Sequence, residues 1–270
     1  MKTVGIKTKL VEFADSRGNT LRGILTGDKG TARGVLMLPG YERAASTEPK
    51  FKRLADKLGT LGVASLRLDY SGCGLSDGNF ALNTVVSYTD EACAAIKFLR
   101  KSGLRQFCVV AHSLSACIVS SLPVEQRTEL ERIVLIAPAL NQKELQRYWF
   151  VRNTMRRKDP LFRTTWQNYR THLNEQAFSD NCAQPYKMTG KNFVGATFFP
   201  ENKELDYQEK MLPIVAKTLL IHGEMDDIVP RESLSMRFPQ CCFVGQGDHD
   251  LERPDMMGMW LPRVLLFLTS

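Results

Sequence analysis

The chain has 270 residues, of which 43% are hydrophobic and 24% charged, with a formal net charge of +7. Such proportions are ordinary for a soluble globular protein, and a mild excess whose densest cluster is only Arg156-Arg157-Lys158 predicts no nucleic-acid partner. No apolar run approaches the roughly 20 residues that span a bilayer. The start, Met1 to Lys7, has charge but no apolar stretch behind it, and the seven cysteines form no CxxC pair. The expectation is therefore a cytoplasmic protein without membrane insertion, disulfide framework or zinc site.

In chain order, residues 8–13 and 20–26 read as antiparallel strands joined by Ser16-Arg17-Gly18-Asn19. Near-continuous apolar runs follow at 34–38, 63–68, 107–111 and 133–137, as expected of strands buried on both faces. Between them, 48–61 and 84–102 space apolar residues at helical period. Two later strands are predicted at 218–222 and 241–244, and a last helix at 254–269. Strand–helix alternation of this kind predicts an α/β fold with a doubly wound, mostly parallel sheet. From 141 to 210 the rhythm breaks: that stretch holds twelve of the chain's 24 aromatic residues and no buried-strand pattern. The predicted organisation is a core formed by 1–140 and 211–270, with 141–210 as an inserted helical cap.

The most informative segment is Val109-Val110-Ala111-His112-Ser113-Leu114-Ser115-Ala116. An apolar strand runs into small-x-Ser-x-small and then into a helix-forming stretch. A nucleophile elbow needs this pattern, because its serine stands on a tight turn that admits only small neighbours two positions either side. The usual small residues are glycines; here they are Ala111 and Ser115. One strand–helix unit earlier, Leu38-Pro39-Gly40-Tyr41 forms a turn whose Tyr41 amide, with that of Leu114, would make a two-donor oxyanion hole. After a late strand, His222-Gly223-Glu224-Met225-Asp226-Asp227 supplies two carboxylates; Asp226 is the preferred triad acid and Asp227 its substitute. Of the four histidines, only His249, in the loop Gly245-Gln246-Gly247-Asp248-His249, follows the last strand and completes the order Ser, Asp, His.

With these residues in order, the sequence resembles the α/β-hydrolase superfamily over essentially its whole length. The stretch Asp69-Tyr70-Ser71-Gly72-Cys73-Gly74-Leu75-Ser76-Asp77-Gly78 is similar to the family's loop beside the site, which is structural rather than catalytic. The Pro-Gly-Tyr turn, that loop and His222 to Pro230 together resemble the small acyl-protein thioesterase and acyl-glucuronide esterase type of mitochondria. The Ala-x-Ser-Leu-Ser-Ala elbow and the Asp-His-Asp-Leu ending resemble the acyl-transferring thioesterases of luminous bacteria. The resemblance implies Ser113 as nucleophile, Asp226 as acid and His249 as base, acting on acyl esters or thioesters without cofactor or metal.

The expected partner is thus a small acyl ester or thioester, free or borne on an acidic carrier. The carrier idea comes from twelve Lys and Arg against eight Asp and Glu between 141 and 210. Two other readings follow from the same residues: an acyltransferase, since the acyl-enzyme is common to both paths, and a non-catalytic binding protein, for which the altered elbow glycines speak.

Overall fold

The computed structural model describes residues 7–27, 32–189 and 192–270. Residues 1–6, on which the reading of the amino terminus rests, and Lys191 lie outside these.

The chain opens with β1 (Thr8–Ala14) and β2 (Thr20–Thr26), an antiparallel pair in which Ala14 faces Thr20. Then β3 (Arg33–Leu38), α1 (Pro49–Thr60), β4 (Ala64–Asp69), α2 (Val85–Lys101), β5 (Gln106–His112), α3 (Ser115–Ser121), α4 (Val124–Glu129) and β6 (Leu130–Ile136) follow. Helix α2 begins with a reciprocal cap. The Thr84 hydroxyl accepts from the Ser87 amide at 3.1 Å, and the Ser87 hydroxyl accepts from the Thr84 amide at 2.9 Å.

Beyond β6 come α5 (Gln142–Lys158), α6 (Glu175–Cys182), β7 (Tyr186–Thr189), β8 (Asn192–Gly195), α7 (Phe198–Asn202) and α8 (Gln208–Met211). The chain closes with β9 (Thr218–Gly223), β10 (Gln240–Val244) and α9 (Pro254–Thr269).

Eight strands form one sheet in the order β1-β2-β4-β3-β5-β6-β9-β10. The pairs β1–β2 and β2–β4 are antiparallel and the rest parallel, which makes the sheet mostly parallel and doubly wound. Side-chain alternation sorts the two faces. Val35, Met37, Cys108 and Val110 pack with α1 and α9, whereas Leu36, Leu38, Val109 and Ala111 pack with α2 and α3. The order reverses at β3, which has β4 on one side and β5 on the other. A crevice for ligands is expected at the carboxyl ends of strands on either side of such a reversal.

The segment between β6 and β9 holds helices α5 to α8 together with the hairpin β7–β8, which the sequence reading lacks. Each of its strands has only four residues. Tyr186, Met188 and Phe193 are exposed and Val194 alone among the apolar ones is buried, so neither strand writes a buried run into the sequence. The aromatics of α5 and the turn after it pack mainly on one another. The Tyr148 ring lies 5.6 Å from Trp166 and 5.7 Å from Tyr169, and Trp166 lies 5.1 Å from Tyr169. No helix among the described residues is long and apolar enough to cross a membrane.

Candidate active site

Three strand ends deliver the side chains. Ser113 follows β5 directly and has φ of +53°, the left-handed region that an L side chain adopts at a cost. The turn is held from both sides: the Ser113 amide donates to Ile136 O at 2.9 Å, and its carbonyl accepts from Ala139 and Ala116, each at 3.1 Å. Positive φ therefore falls on the serine itself; Ala111 and Ser115 are not among the positive-φ residues. That explains how the elbow forms without its usual glycines.

Ser115 does more than fill a small position. Its fully buried hydroxyl donates to the Pro39 carbonyl at 2.5 Å and accepts from the Tyr70 hydroxyl at 3.0 Å. It thus ties the first turn of α3 to the Pro-Gly-Tyr loop after β3. Gly40 is required there, because a Cβ would lie 2.8 Å from His112 Nδ1. The Tyr41 ring is flanked by Phe80 at 5.3 Å and Phe198 of α7 at 4.9 Å.

The loop after β9 turns its two acids in different directions. Asp226 Oδ2 accepts from His249 Nδ1 at 2.8 Å, while Oδ1 accepts from the Ile228 and Val229 amides at 2.9 Å each. Asp227 points the other way, to Arg152 at 2.6 Å and Arg156 at 3.1 Å. The same stretch is gripped by α5 through Tyr148 Oη on Asp227 O (2.9 Å) and Trp149 Nε1 on Ile228 O (2.6 Å).

His249 lies in the loop after β10, with Nε2 3.0 Å from Ser113 Oγ. Since a carboxylate only accepts, Nδ1 carries the proton and Nε2 presents a lone pair to the serine. The loop backbone packs on the acid loop: the Met225 amide donates to Gly247 O at 2.9 Å, and a Cβ on Gly223 would meet Gly247 O at 2.3 Å. Serine, histidine and aspartate are thus in one hydrogen-bonded line. The other two nearby histidines are buried, and burial pulls the pKa of both His112 and His222 down, His112 strongly. Both stay neutral at physiological pH.

The loop after β4 is a brace. Asp69 is buried and accepts from the Ser46 amide (2.9 Å), the Ser46 hydroxyl (2.5 Å) and the Leu75 amide (2.9 Å). Gly74, at φ +56°, has no room for a side chain, because its Cβ would lie 2.2 Å from Asp69 Oδ2. Among the basic residues between 141 and 210, Arg147, Arg152, Arg156 and Arg170 are already engaged with Glu175 and Glu204, Asp227, Asp227, and Glu144.

Sequence reasoning passed over a charged cluster behind His249, buried at Glu48 and Lys50 and exposed at Arg43. Lys50 is fully buried between Glu48 and Glu252, 3.1 Å from each; Arg43 grips Asp250 at 2.5 and 2.6 Å; His112 Nε2 donates to the His249 carbonyl at 3.1 Å. A lysine one residue into a helix reads as exposed, so no local signal marks it.

The family model described as serine aminopeptidase, S33 matches residues 32–241. No curated protein matches the sequence. Among solved structures, the alpha/beta hydrolase domain-containing protein 10 from mouse superposes with a TM-score of 0.73 at 19% identity, over 97% of this chain and 100% of that one. A putative hydrolase from Agrobacterium vitis S4 gives 0.67 at 20% identity, over 97% and 99%. Est1E from Butyrivibrio proteoclasticus, with ferulic acid bound, gives 0.65 at 16% identity, over 97% and 96%.

Proposed function

The chain belongs to the serine aminopeptidase S33 family of α/β hydrolases, and from that premise we propose that it is a serine hydrolase cleaving carboxylic esters or acyl thioesters. One observation carries the reading: Ser113 Oγ, His249 Nε2, His249 Nδ1 and Asp226 Oδ2 stand in sequence at 3.0 and 2.8 Å, at the ends of three strands of one sheet. A serine hydroxyl at its ordinary pKa is a poor nucleophile, and an adjacent oriented base is what activates it.

In the proposed cycle His249 takes the Ser113 proton as Oγ attacks the acyl carbon. Asp226, itself held by two backbone amides, steadies the resulting imidazolium. The tetrahedral oxygen takes hydrogen bonds from the Tyr41 and Leu114 amides; one donor of this kind is typically worth about 2.7–4 kcal/mol of barrier. His249 returns the proton to the departing alcohol or thiol. Water, activated by the same imidazole, then attacks the acyl-serine and releases the acid.

The segment 141–210 serves as the cap in this reading. Ser113 is only 8% exposed and the Tyr41 ring is clasped by Phe198, so substrate enters when this aromatic layer moves. A cytoplasmic setting accords with seven free cysteines.

The test is a fluorophosphonate probe read by intact mass and peptide mapping, followed by esters, acyl thioesters and aminoacyl anilides in parallel. Single labelling at Ser113, lost in Ser113→Ala, with turnover of esters or thioesters above anilides, is the expected outcome. Turnover of anilides alone would overturn the ester reading, and a folded protein that takes no label would make it a binding protein. Added acceptor alcohols distinguish hydrolysis from acyl transfer, and a salt series on carrier-bound against free acyl groups tests the carrier.

A further inference from the structure

Behind the catalytic histidine lies a set of polar and charged groups, buried at Glu48, Lys50 and His112 and open to solvent at Arg43, for which the reaction itself has no use. Its members come from four places: Arg43 from the turn after β3, Glu48 and Lys50 from the start of α1, His112 from the end of β5, and Asp250 and Glu252 from the base loop. Three of them hold that loop at separate points. His112 Nε2 donates to the carbonyl of His249 at 3.1 Å, Arg43 takes both carboxylate oxygens of Asp250, and Lys50 Nζ reaches Glu252 at 3.1 Å. Two of these holders, Lys50 and Arg43, are drawn to one carboxylate, while His112 turns only the unprotonated nitrogen of its ring toward it. Glu48 Oε1 is 3.1 Å from Lys50 Nζ, 3.8 Å from His112 Nδ1 and 4.0 Å from Arg43 Nε.

Stability does not account for this arrangement. Buried ion pairs are commonly neutral or worse against apolar residues of the same volume, and here Glu48 Oε2 and His112 Nδ1 are buried with no hydrogen-bond partner. What the cluster does supply is placement of the base loop. The base loop carries two residues in left-handed backbone, Gln246 at φ +57° and Leu251 at +52°, on either side of His249, and a misplacement of about 1 Å in a general base costs up to about 100-fold in rate.

Resting on the hydrolase reading of Ser113 and His249, we propose that Glu48 is a positioning residue, the shared anchor through which Lys50 and Arg43 hold the carboxylates of Asp250 and Glu252 and thereby aim the His249 ring at Ser113. Burial pushes the Glu48 carboxyl up to about 7, against the pull of Lys50 and Arg43 and with Glu252 adding to the rise. Protonation of Glu48 below that point removes the anchor's charge. Catalysis then requires two deprotonated groups on its acid side, His249 and Glu48.

Glu48→Gln tests this, because it keeps volume and removes only the charge. Expected are a fall in kcat of about tenfold with KM within twofold, and an equal fall in the rate of fluorophosphonate labelling at Ser113. The acid limb of log kcat/KM should change from a slope approaching two to a slope of one. Hydrogen exchange of a peptide spanning 245–253 should accelerate about tenfold while core strands stay protected. Unchanged exchange in that peptide, or an unchanged acid limb in an active enzyme, would overturn the proposal. Should Glu48→Gln fail to fold, Glu252→Gln frees the Lys50 grip at a site one-fifth exposed; about threefold loss in kcat and faster exchange of the same peptide are expected, and neither changing would overturn it. Exchange is read without substrate, so a protein that takes no label but shows the loosened loop would sink the hydrolase reading and leave the anchor standing.

Discussion

Restoring the usual glycine at position 115 is expected to damage this protein rather than improve it. Ser115 is fully buried, and its hydroxyl serves two partners, the Pro39 carbonyl at 2.5 Å and the Tyr70 hydroxyl at 3.0 Å. Ser115→Gly leaves both without a partner, at roughly 1–3 kcal/mol each. Glycine adds roughly 0.5–1 kcal/mol of backbone entropy. Nothing offsets these losses, because position 115 is not in left-handed backbone and has no use for glycine's freedom. The sum is about 2.5–7 kcal/mol, or a drop in Tm on the order of 10 °C at this size. Urea unfolding of wild type, Ser115→Gly, Ser115→Ala, Tyr70→Phe and the Ser115→Ala/Tyr70→Phe double variant measures it. Ser115→Ala should cost about 1 kcal/mol less in the Tyr70→Phe background, where one of the two bonds is already gone. A Ser115→Gly protein as stable as wild type would refute the reasoning, and would mean that the turn loop is held by something other than this hydroxyl.

Asp226→Asn should lower kcat about 10⁴-fold with the fold intact, since Asn can present the wrong partner to His249 Nδ1. Asp227→Asn should lower it less than about threefold and cost under about 1 kcal/mol, because its pairs with Arg152 and Arg156 sit at a half-exposed carboxylate; kinetics and thermal melts of the two side by side check both. Burial raises the carboxyl of Glu91 to about 7, outweighing the hydrogen bonds from Ser71 and the charge of Arg17. A carboxyl raised on folding contributes stability below its unfolded value near 4.5 and loses it as pH climbs through 7. Glu91→Gln should therefore gain on wild type between pH 5 and 8 in urea midpoints, and a constant difference across that range would contradict the assignment. With thiol reagent at pH 8, Cys241 and Cys242 should react quickly and the other five only on unfolding, for those five are buried, with burial pushing Cys73 to about 12 and Cys108 to about 11; a third fast thiol counted at 412 nm would show a loosened core.

Much of the sheet was legible because strands buried on both faces must be apolar at every position, as 107–111 and 133–136 are. The ends of those strands could be counted along the chain, and this singled out Ser113, Asp226 and His249 as candidates. Other features depend on distances between segments remote in sequence. Nothing local distinguishes Asp226 from Asp227; the choice is made by where Arg152 and His249 come to lie. Ser115 reads as a small residue, and its second role appears only when Pro39 and Tyr70 arrive beside it. The hairpin at 186–195 escapes because its strands bury only one apolar side chain between them. Glu48 and Lys50 escape for the opposite reason, since charged residues around a helix start are ordinarily solvated.

The hold of α5 on the acid loop has a mechanical consequence. Two main-chain carbonyls and one carboxylate at 227–228 are bonded by Tyr148, Trp149, Arg152 and Arg156, spread over two turns of one helix. The amide of Ile228 in turn bonds Asp226. Helix and carboxylate are geared together: α5 cannot swing outward by more than the slack of these bonds without either breaking them or drawing the aspartate off its histidine. In the proposed cycle, admission of substrate and tension on the proton relay would therefore share one lever, and a core trimmed of residues 141–210 would lose the bearing on which Asp226 turns.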